Sequence, residues 1–146
     1  MLCSQRVLNQ STHIVVYRAH AAFTDALGLG DEYVRETRFG KVAVQTAMTY
    51  EREVRRGARL AVDSWLLGVD AKRLHFFHEV HNLGDQTRVA VSEQLDLHVD
   101  LETRRTTPMP RTSSPASHVS LLTSVRLADP KVWGARFAFR GVDRRT

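Results

Sequence analysis

The sequence predicts an α+β domain in which one long helix precedes a set of antiparallel strands. Two observations predict it. Apolar residues in the segment 13–30 recur with helical spacing, and the period of the apolar residues changes to about two in residues 42–103. Strands that are gathered after a single helix favour an antiparallel sheet with that helix on one face. Because the helix is rich in alanine and apolar over much of its girth, we expect a curved sheet to wrap around it.

The predicted helix covers HIVVYRAHAAFTDALGLG, residues 13–30. Ser11 or Thr12 is suited to cap its start, since their hydroxyls can accept hydrogen bonds from the first free amides. Gly28 and Gly30 are typical C-terminal stop signals. A short strand is expected before the helix, near residues 5–8.

Four strands are predicted after the helix, in residues 42–54, 58–70, 72–83 and 87–103. The turn between the last two is the sequence NLGD at residues 82–85. The last strand is the clearest, because its two faces differ. One face carries Leu95, Leu97, Val99 and Leu101, and the other carries Gln94, Asp96, His98 and Asp100. This alternation is typical of a half-buried strand.

The composition divides the chain into residues 1–103, which hold the domain, and residues 104–146, a C-terminal extension. The sequence RRTTPMPRTSSPAS after Thr103 contains three of the four prolines and many serines and threonines, as a linker or flexible arm does. Within the extension, residues 117–130 suggest a short helix and residues 133–141 a short strand. Packing of the extension on the domain is left open.

The net charge is +5, from 21 Lys+Arg against 16 Asp+Glu. The lysines are Lys41, Lys72 and Lys131, so arginine supplies most of the positive charge. Arginine forks suit phosphate and carboxylate groups, and both nucleic acid and a phosphorylated cofactor such as coenzyme A fit. An arginine-rich genome explains the charge equally well. Nucleic acid ranks last as a partner, because no aromatic residues are interleaved with the cations as on a base-stacking surface.

Cellular location is suggested by what the sequence lacks. No apolar run reaches the roughly 20 residues that a membrane span needs, and the start MLCSQRVLNQ lacks the apolar core of a signal peptide. The single cysteine, Cys3, cannot form an internal disulfide or a cysteine metal cage. We therefore expect a cytoplasmic protein without a membrane partner and without a bound metal.

Three histidines recur at every third position in VDAKRLHFFHEVHNLGDQ, residues 69–86. On a helix the three side chains would share a face, but the bracketing turns leave only about a dozen residues, which favours a strand. On a strand, His75 and His81 share one face and His78 lies on the other with Leu74, Phe76 and Val80. A zinc site would need a further partner such as His98 or Asp96, so the pattern indicates a core-facing strand rather than a metal cage.

Three stretches of the sequence also resemble a known protein family. TYEREVRRGARLAVDSWLLGVDAKRLHFFHEVH, SEQLDLHVD and FTDALGLG resemble the hotdog-fold acyl-CoA thioesterases, within the 4-hydroxybenzoyl-CoA thioesterase-like superfamily. They are most similar to the betainyl-CoA thioesterases of carnitine catabolism, which occur alone or fused to carnitine dehydrogenase. The resemblance is strongest over residues 42–101 and stops at the extension.

The resemblance implies a fold, a reaction and an assembly. The fold is an antiparallel sheet wrapped around one long central helix. The reaction is hydrolysis of a short-chain acyl-CoA thioester, betainyl or another polar acyl group, to the free acid and coenzyme A. The assembly is a homodimer, with a tetramer left open, whose active sites lie between subunits. No cofactor is implied beyond the coenzyme A of the substrate.

The resemblance places the chemistry at the start of the helix, where this family usually has an Asp four residues before a His. The matching stretch is LNQSTHIVVY. With His13 as the family histidine, the position of the carboxylate holds Asn9. With a register set by FTDAL, Gln10 and Arg6 occupy the two positions instead. On the following strand, where the family often has Glu, the chain has Gln45. We expect Asn9, His13 and Gln45 to form the site, although an amide cannot act as a general base.

Two pairs of cations are candidates for the phosphates of coenzyme A: Arg55 with Arg56 at one turn, and Lys72 with Arg73 at a strand start. Each pair taken alone is more typical of a solvated turn or of a charged sheet edge. The missing carboxylate leaves a second hypothesis for the chain, a catalytically impaired hotdog scaffold that binds acyl-CoA or a protein partner.

Overall fold

The computed structural model of the chain describes residues 6–7, 9–110, 124–128 and 138–139, with the side chains of residues 12–110. In these ranges two helices and nine strands follow one another along the chain. In order they are β1 (Arg6–Val7), α1 (Asn9–Ala26), α2 (Asp31–Thr37), β2 (Phe39–Tyr50), β3 (Val54–Arg55), β4 (Leu60–Val69), β5 (Arg73–Asn82), β6 (Arg88–Asp100), β7 (Arg105–Thr106), β8 (Ser124–Ala128) and β9 (Ala138–Phe139). The predicted α+β class is confirmed, and the strands predicted in residues 42–103 are all present.

Helix α1 begins and ends four residues earlier than the predicted segment 13–30, although Gly28 is the stop signal that was predicted. The helix already includes Asn9, so Thr12 is a buried residue within it and the expectation of a cap at Ser11 or Thr12 is wrong. At the other end, Gly28 has a φ of 78°. The N–H of Gly28 donates to the carbonyl of Asp25, and the N–H of Leu29 donates to the carbonyl of Thr24. These two bonds form a Schellman motif, which needs a residue at positive φ and therefore favours glycine.

A second helix, α2, follows α1, between the predicted helix and the first predicted strand. It runs for seven residues and buries Tyr33. It ends at Arg38, whose φ of 60° turns the chain into β2. The described part of the chain therefore has two helices where one was expected.

Among the described residues, seven strands form one antiparallel sheet, in which β2, β6, β5, β4, β8 and β9 are adjacent in that order and β7 pairs with β6. β1 pairs separately with β3. β2 lies at one end of the order, so one of its edges is unpaired in this part of the chain. The twelve residues of β2 make this a long edge.

Strand β5 presents one face to α1, and we call this side of the sheet the inner face. Leu74, Phe76, His78 and Val80 are all fully buried on it, whereas His75 and His81 lie on the other side, the outer face. The predicted division of the histidine triplet between two strand faces is confirmed.

Strand β6 is half-buried as predicted, but its polar face is the buried one. Asp96 and His98 have no exposed surface, and they lie on the inner face. Leu95 and Leu97 lie on the outer face and are only partly covered. The alternation of residue types predicts the right period, but hydrophobicity alone assigns the wrong face to the core.

The core between α1 and the sheet has two apolar clusters. One joins Phe23 and Leu27 of α1 to Leu66 and Phe76 of the sheet. The other joins Val16 and Ala19 to a set of buried strand residues. That set is Val54, Leu60, Val62, Val80, Val89 and Ala90. The two clusters fix α1 antiparallel to β5, since the start of α1 lies at the Val80 end and its last turn at the Leu74 end.

Parts of the predicted extension are strands of the sheet. β7 pairs with Val99 and Asp100, β8 pairs with β4, and β9 pairs with β8. The expectation of a short helix is therefore wrong for residues 124–128, and that of a strand within residues 133–141 is confirmed for β9. The boundary between residues 103 and 104 stays a prediction. Neither helix in the described residues is both long and apolar enough to cross a membrane.

Candidate active site

The residues predicted at the helix start lie near the beginning of α1. Asn9 is the first residue of the helix, and its side chain lies outside the described part. His13 lies one turn later and is exposed. Positions 13, 17, 20 and 24 follow the i, i+4, i+7, i+11 spacing of a single helix face. His13 therefore shares a stripe of α1 with Tyr17, His20 and Thr24.

Gln45 lies on the opposite side of the sheet from this stripe. It pairs with Leu95, which in turn pairs with His75, and directly paired residues point to the same face. Gln45 is therefore on the outer face, while α1 packs on the inner one. One chain alone does not bring Gln45 to His13, and their meeting across subunits stays a prediction.

The two cation pairs lie at opposite ends of the sheet. Arg55 belongs to β3, whose Val54 packs near the start of α1. Lys72 and Arg73 lie at the other end, where they line a shallow depression of about 450 Å³ with Asp70, Ala71, Leu97 and Thr106. The guanidinium of Arg73 is paired with Asp70 at 2.6 Å. The carbonyl of Lys72 accepts a bond from the N–H of His98.

A connected polar cluster lies in the middle of the core, between α1 and the inner face. Five elements contribute to it. Its members are His20 of α1, Lys41 of β2, Ser64 of β4, His78 of β5, and Gln94 and Asp96 of β6. We call this set the buried polar cluster. Apart from Lys41 and Gln94, each member is at most 5% exposed.

The buried polar cluster is a chain of short hydrogen bonds. Ser64 Oγ lies 2.7 Å from His78 Nδ1, and His78 Nε2 lies 3.2 Å from His20 Nδ1. His20 Nε2 lies 3.0 Å from Asp96 Oδ2. Lys41 Nζ donates to the same carboxylate oxygen at 2.9 Å and lies 2.8 Å from His20 Nε2.

Two arrangements of protons satisfy this chain. In the first, the Ser64 hydroxyl donates to His78, His78 Nε2–H donates to His20, and His20 Nε2–H donates to Asp96, so that Lys41 donates to Asp96 alone. In the second, Lys41 donates to His20 Nε2, and the two imidazoles donate in the reverse direction, toward Ser64. The two differ only in histidine tautomers and hydroxyl orientation, which heavy-atom positions do not fix. A change in hydrogen bonding at Lys41 can therefore reverse the direction of donation along the whole chain as far as Ser64.

Burial and charge keep both imidazoles neutral at neutral pH. Burial, with a smaller contribution from the nearby His20, lowers the pKa of His78 to about 3. Burial also lowers the pKa of His20, against the opposing effect of its hydrogen bond with Asp96. For Asp96, burial alone raises the pKa, but the bonds from His20 and Lys41 outweigh it and hold the pKa below its ordinary value. The Lys41–Asp96 pair is thus the charged centre of the cluster.

The cluster is open at the β2 end. The side chain of Lys41 is 16% exposed, against 1% for Asp96. Next to Lys41 on the inner face, Ala43 pairs with Asp96 and Thr46 pairs with Gln94, and both β2 residues are exposed. The inner face of β2 beside α1 is therefore exposed in this stretch, with Lys41 at one end. We call this exposed strip the α1–β2 groove.

His13 stands toward the other end of this groove. Met48, further along β2, packs against the cluster that contains Val16, and His13 lies just under one turn before Val16. His13 and His20 are seven residues apart, about 10 Å along the helix axis. Since His20 contacts Lys41 directly, His13 and Lys41 lie on the same side of the sheet and flank the groove.

Asp96 and His98, the further partners considered for a zinc site, have other partners. Asp96 belongs to the buried polar cluster. Tyr33 Oη lies 2.8 Å from His98 Nε2, and His98 Nδ1 lies 2.7 Å from the carbonyl oxygen of Thr107. These bonds tie α2 and the residue that follows β7 to the inner face of β6.

Most of the buried polar cluster is absent from the sequence prediction. His78 was placed on the core side of β5, but its partners His20, Ser64 and Lys41 lie far away in sequence. A histidine expected among Leu74, Phe76 and Val80 was a signal, because a buried polar group requires a hydrogen-bond partner. Naming the partner required knowledge of which strands are adjacent.

The family to which the chain belongs is shown by a match to a protein-family model. Residues 5–119 match the model of a family described as the thioesterase-like superfamily. The chain belongs to this superfamily. The match covers more than half of the chain and includes α1, the buried polar cluster and the β2 edge.

Two curated relatives have names that agree with the resemblance. An Agrobacterium fabrum protein named L-carnitine dehydrogenase/betainyl-CoA thioesterase is 42% identical over 91 residues, which are 60% of this chain and 18% of the relative. The betainyl-CoA thioesterase of Pseudomonas aeruginosa is 36% identical over 89 residues, which are 58% of this chain and 56% of the relative. The chain thus spans less than two thirds of either relative.

Solved structures of thioesterases share the fold at low sequence identity. A hypothetical protein from Staphylococcus aureus, solved in complex with CoA, matches with a TM-score of 0.73 at 20% identity. The match covers 81% of this chain and 75% of that one. The neighbours include thioesterases of the hotdog fold, so the resemblance drawn from the sequence is confirmed as a resemblance of fold.

Proposed function

We propose that the chain hydrolyses a short-chain acyl-CoA thioester in the α1–β2 groove. The observation that carries this proposal is the groove itself, in which a thioesterase-superfamily fold places an exposed His13 and a partly exposed Lys41 on the same side of the sheet. The names of the two curated relatives support a betainyl or similarly small, polar acyl group. A bound metal or further cofactor has no part in this proposal.

The reaction adds the oxygen of one water molecule to the thioester carbonyl carbon and breaks the carbon–sulfur bond. One water proton is transferred to the coenzyme A sulfur, and the acyl group leaves as a carboxylic acid. His13 accepts the proton from the attacking water and delivers it to the sulfur, which is general acid–base catalysis by one imidazole. Asn9 at the start of α1 orients the water, because an amide can hold water but cannot take its proton.

Lys72 is the group we assign to a phosphate of coenzyme A. Lys72 and Lys41 both flank His98 of β6: the carbonyl of Lys72 accepts the His98 N–H, and Lys41 pairs with His98 across β2. Lys72, which immediately precedes β5, would therefore lie at the same end of the sheet as Lys41 when a thioester is bound in the groove. Arg73 has less charge to offer, since it is paired with Asp70. Arg55 and Arg56, at the other end of the sheet, are proposed for a coenzyme A approaching from that side.

The assembly we propose is a homodimer that covers the edge of β2 and the adjoining face of α1. Large apolar side chains are exposed there: Ile14 is 52% and Tyr17 69% exposed on α1, and Val42 is 42% and Val44 51% exposed on β2. A long unpaired edge with exposed valines is a site for pairing with another strand. Such a dimer would also bring Gln45 of one copy toward the other copy. We propose a cytoplasmic location, in keeping with a single cysteine.

A second candidate function is an acyl-CoA-binding scaffold without catalysis. The observation that favours it is Asn9, which stands where the family usually has a carboxylate. The panel experiment below separates the two functions, because a scaffold binds acyl-CoA without releasing thiol.

The proposal is tested by the release of free thiol from acetyl-, propionyl-, butyryl- and betainyl-CoA, with binding of each ester measured in parallel. We expect turnover with at least one ester and the highest kcat/KM for a short polar acyl group. Binding without turnover of any ester would leave the scaffold function, and neither binding nor turnover would contradict both.

A further inference from the structure

The ammonium group of Lys41 is held by two partners and retains the capacity to donate one further hydrogen bond. Asp96 Oδ2 and His20 Nε2 lie 2.9 and 2.8 Å from Lys41 Nζ, so two of the three N–H bonds at most are used. Among the described residues there is no third acceptor on this nitrogen. The Lys41 side chain is 16% exposed and lies beside the groove, so we infer that the remaining N–H can be directed there.

The carboxylate that fixes Lys41 cannot itself meet a substrate. Asp96 has no exposed surface, and both of its oxygens are occupied, Oδ2 by Lys41 and His20 and Oδ1 by the amide of Gln94 at 2.7 Å. His20 and His78 are likewise enclosed. Of the charged groups in the buried polar cluster, Lys41 is therefore the one that a ligand in the groove can reach.

Stability alone does not account for such a cluster. Removing two opposite charges from water costs free energy that their attraction often fails to return, and apolar residues of similar volume usually serve a core as well or better. Buried networks that hold a charged group rigidly are instead typical of sites where charge develops during a reaction. The neighbours of Lys41 along β2, Ala43 and Thr46, are small and exposed, which leaves room for a ligand.

We propose that Lys41 binds the carbonyl oxygen of the thioester and stabilises its negative charge as water attacks, and that Asp96, His20 and His78 are positioning residues. The proposal rests on the proposed function. It assigns the stabilisation of the carbonyl oxygen, for which His13 and Asn9 were given no part. His13 and Lys41 flank the groove, and His20, which contacts Lys41, lies about 10 Å from His13 along the helix axis. A water bound to His13 and a carbonyl bound to Lys41 fit between them, each through one hydrogen bond.

The first test compares kcat and KM of the wild type, Lys41→Met and Lys41→Arg on the best ester of the panel. Loss of one donor to a developing oxyanion lowers kcat by about 100- to 1,000-fold, so we expect a fall of that size in Lys41→Met with KM changed less than about three-fold. Lys41→Arg keeps a cation and should recover part of kcat. Arg35→Gln, an exposed cation on α2, is the matched control and should leave both constants unchanged.

A second variant covers the chance that Lys41→Met unfolds because Asp96 loses its counter-charge. Lys41→Met/Asp96→Asn removes both charges, so it should fold and remain as slow as Lys41→Met. Wild-type kcat in a folded Lys41→Met or in the double variant would overturn the proposal, while leaving the thioesterase function intact.

A binding measurement tests Lys41 without relying on turnover. Acetyl-CoA and S-ethyl-CoA differ in the carbonyl oxygen, which the thioether lacks. We expect Lys41→Met to weaken the binding of acetyl-CoA about five-fold more than the binding of S-ethyl-CoA, which is the equivalent of one hydrogen bond. Equal losses for both ligands would overturn the contact. Absence of turnover in the wild type would contradict the proposed function, and the binding difference would then decide the Lys41 contact separately.

Discussion

His20 Nδ1 lies 3.2 Å from His78 Nε2 in the core of the protein, where α1 meets β5. Two neutral imidazoles in this position tie the middle of the helix to the middle of the sheet, with Ser64 at one end of the chain and the Lys41–Asp96 pair at the other. The stability and the reactivity of the protein are therefore expected to depend on the same residues.

Acid should destabilise the fold through His78. Its pKa is lowered to about 3 in the folded protein from an ordinary 6.5, so the unfolded chain binds the proton first. The stabilisation is complete above about pH 7 and is lost as the pH falls from 6.5 toward 3. For one such group the free energy of unfolding falls by about 1.4 kcal/mol per pH unit in this window. Burial also lowers the pKa of His20, which acts in the same direction.

Urea unfolding between pH 7 and pH 4 measures this dependence. His78→Gln removes one titrating group and should flatten the curve, while His75→Gln, an outer-face histidine bonded to the exposed Glu93, should not. Equal pH slopes in wild type and His78→Gln would refute the assignment.

The Lys41–Asp96 pair should matter far more to stability than a surface pair. Asp96→Asn leaves a partly buried ammonium without its carboxylate, and we expect a loss of about 3 kcal/mol in the free energy of unfolding. Asp70→Asn breaks an ion pair whose side chains are 65% and 45% exposed and should cost less than about 1 kcal/mol. Denaturant titrations of both variants at pH 7 provide the comparison, and similar losses would show that Asp96 is not part of a buried pair.

Much of the fold could be predicted from the sequence, because a change of apolar period marks where a helix gives way to strands. The division of His75, His78 and His81 between two faces followed from strand alternation in the same way. The burial of Asp96 and His98 could not be predicted, since hydrophobicity points Leu95 and Leu97 at the core. The cost of burying Asp96 is offset by His20, Lys41 and Gln94, whose proximity is fixed by strand order rather than by local sequence.

The candidate site was predicted in part for a similar reason. The family resemblance indicated the helix start, and His13 does stand exposed beside the α1–β2 groove. Lys41 was not singled out, because one lysine on an edge strand usually means a solvated edge. Its contacts with β6 and α1 distinguish it, and they arise only when the sheet forms.

Restoring the carboxylate at the helix start should raise the activity. Asn9→Asp supplies a second base near His13, and one additional general base is worth about 100-fold or more when well placed. The measurement is kcat on the best ester of the panel, with Gln45→Glu as a parallel variant on the outer face. If Asn9→Asp binds acyl-CoA like the wild type but gains no turnover, the register that equates Asn9 with the family carboxylate is wrong.

Charges placed on the exposed apolar surface should separate the proposed dimer. Val44→Lys on β2 and Tyr17→Glu on α1 each put a charge into the proposed interface, so sedimentation should show a monomer in place of a dimer. Leu67→Lys, on the far strand β4 and also exposed, is the control and should leave the assembly unchanged. A wild type that sediments as a monomer, or interface variants that remain dimers, would exclude this surface.

Hydrolysis at the start of α1 is tested most directly by comparing kcat of His13→Gln with that of the wild type and of Arg35→Gln, measured by thiol release from the best ester of the panel. We predict that kcat falls by at least about 100-fold in His13→Gln, with binding of the ester retained, and is unchanged in Arg35→Gln. A His13→Gln variant that turns over at the wild-type rate would contradict the claim that hydrolysis takes place at the start of α1.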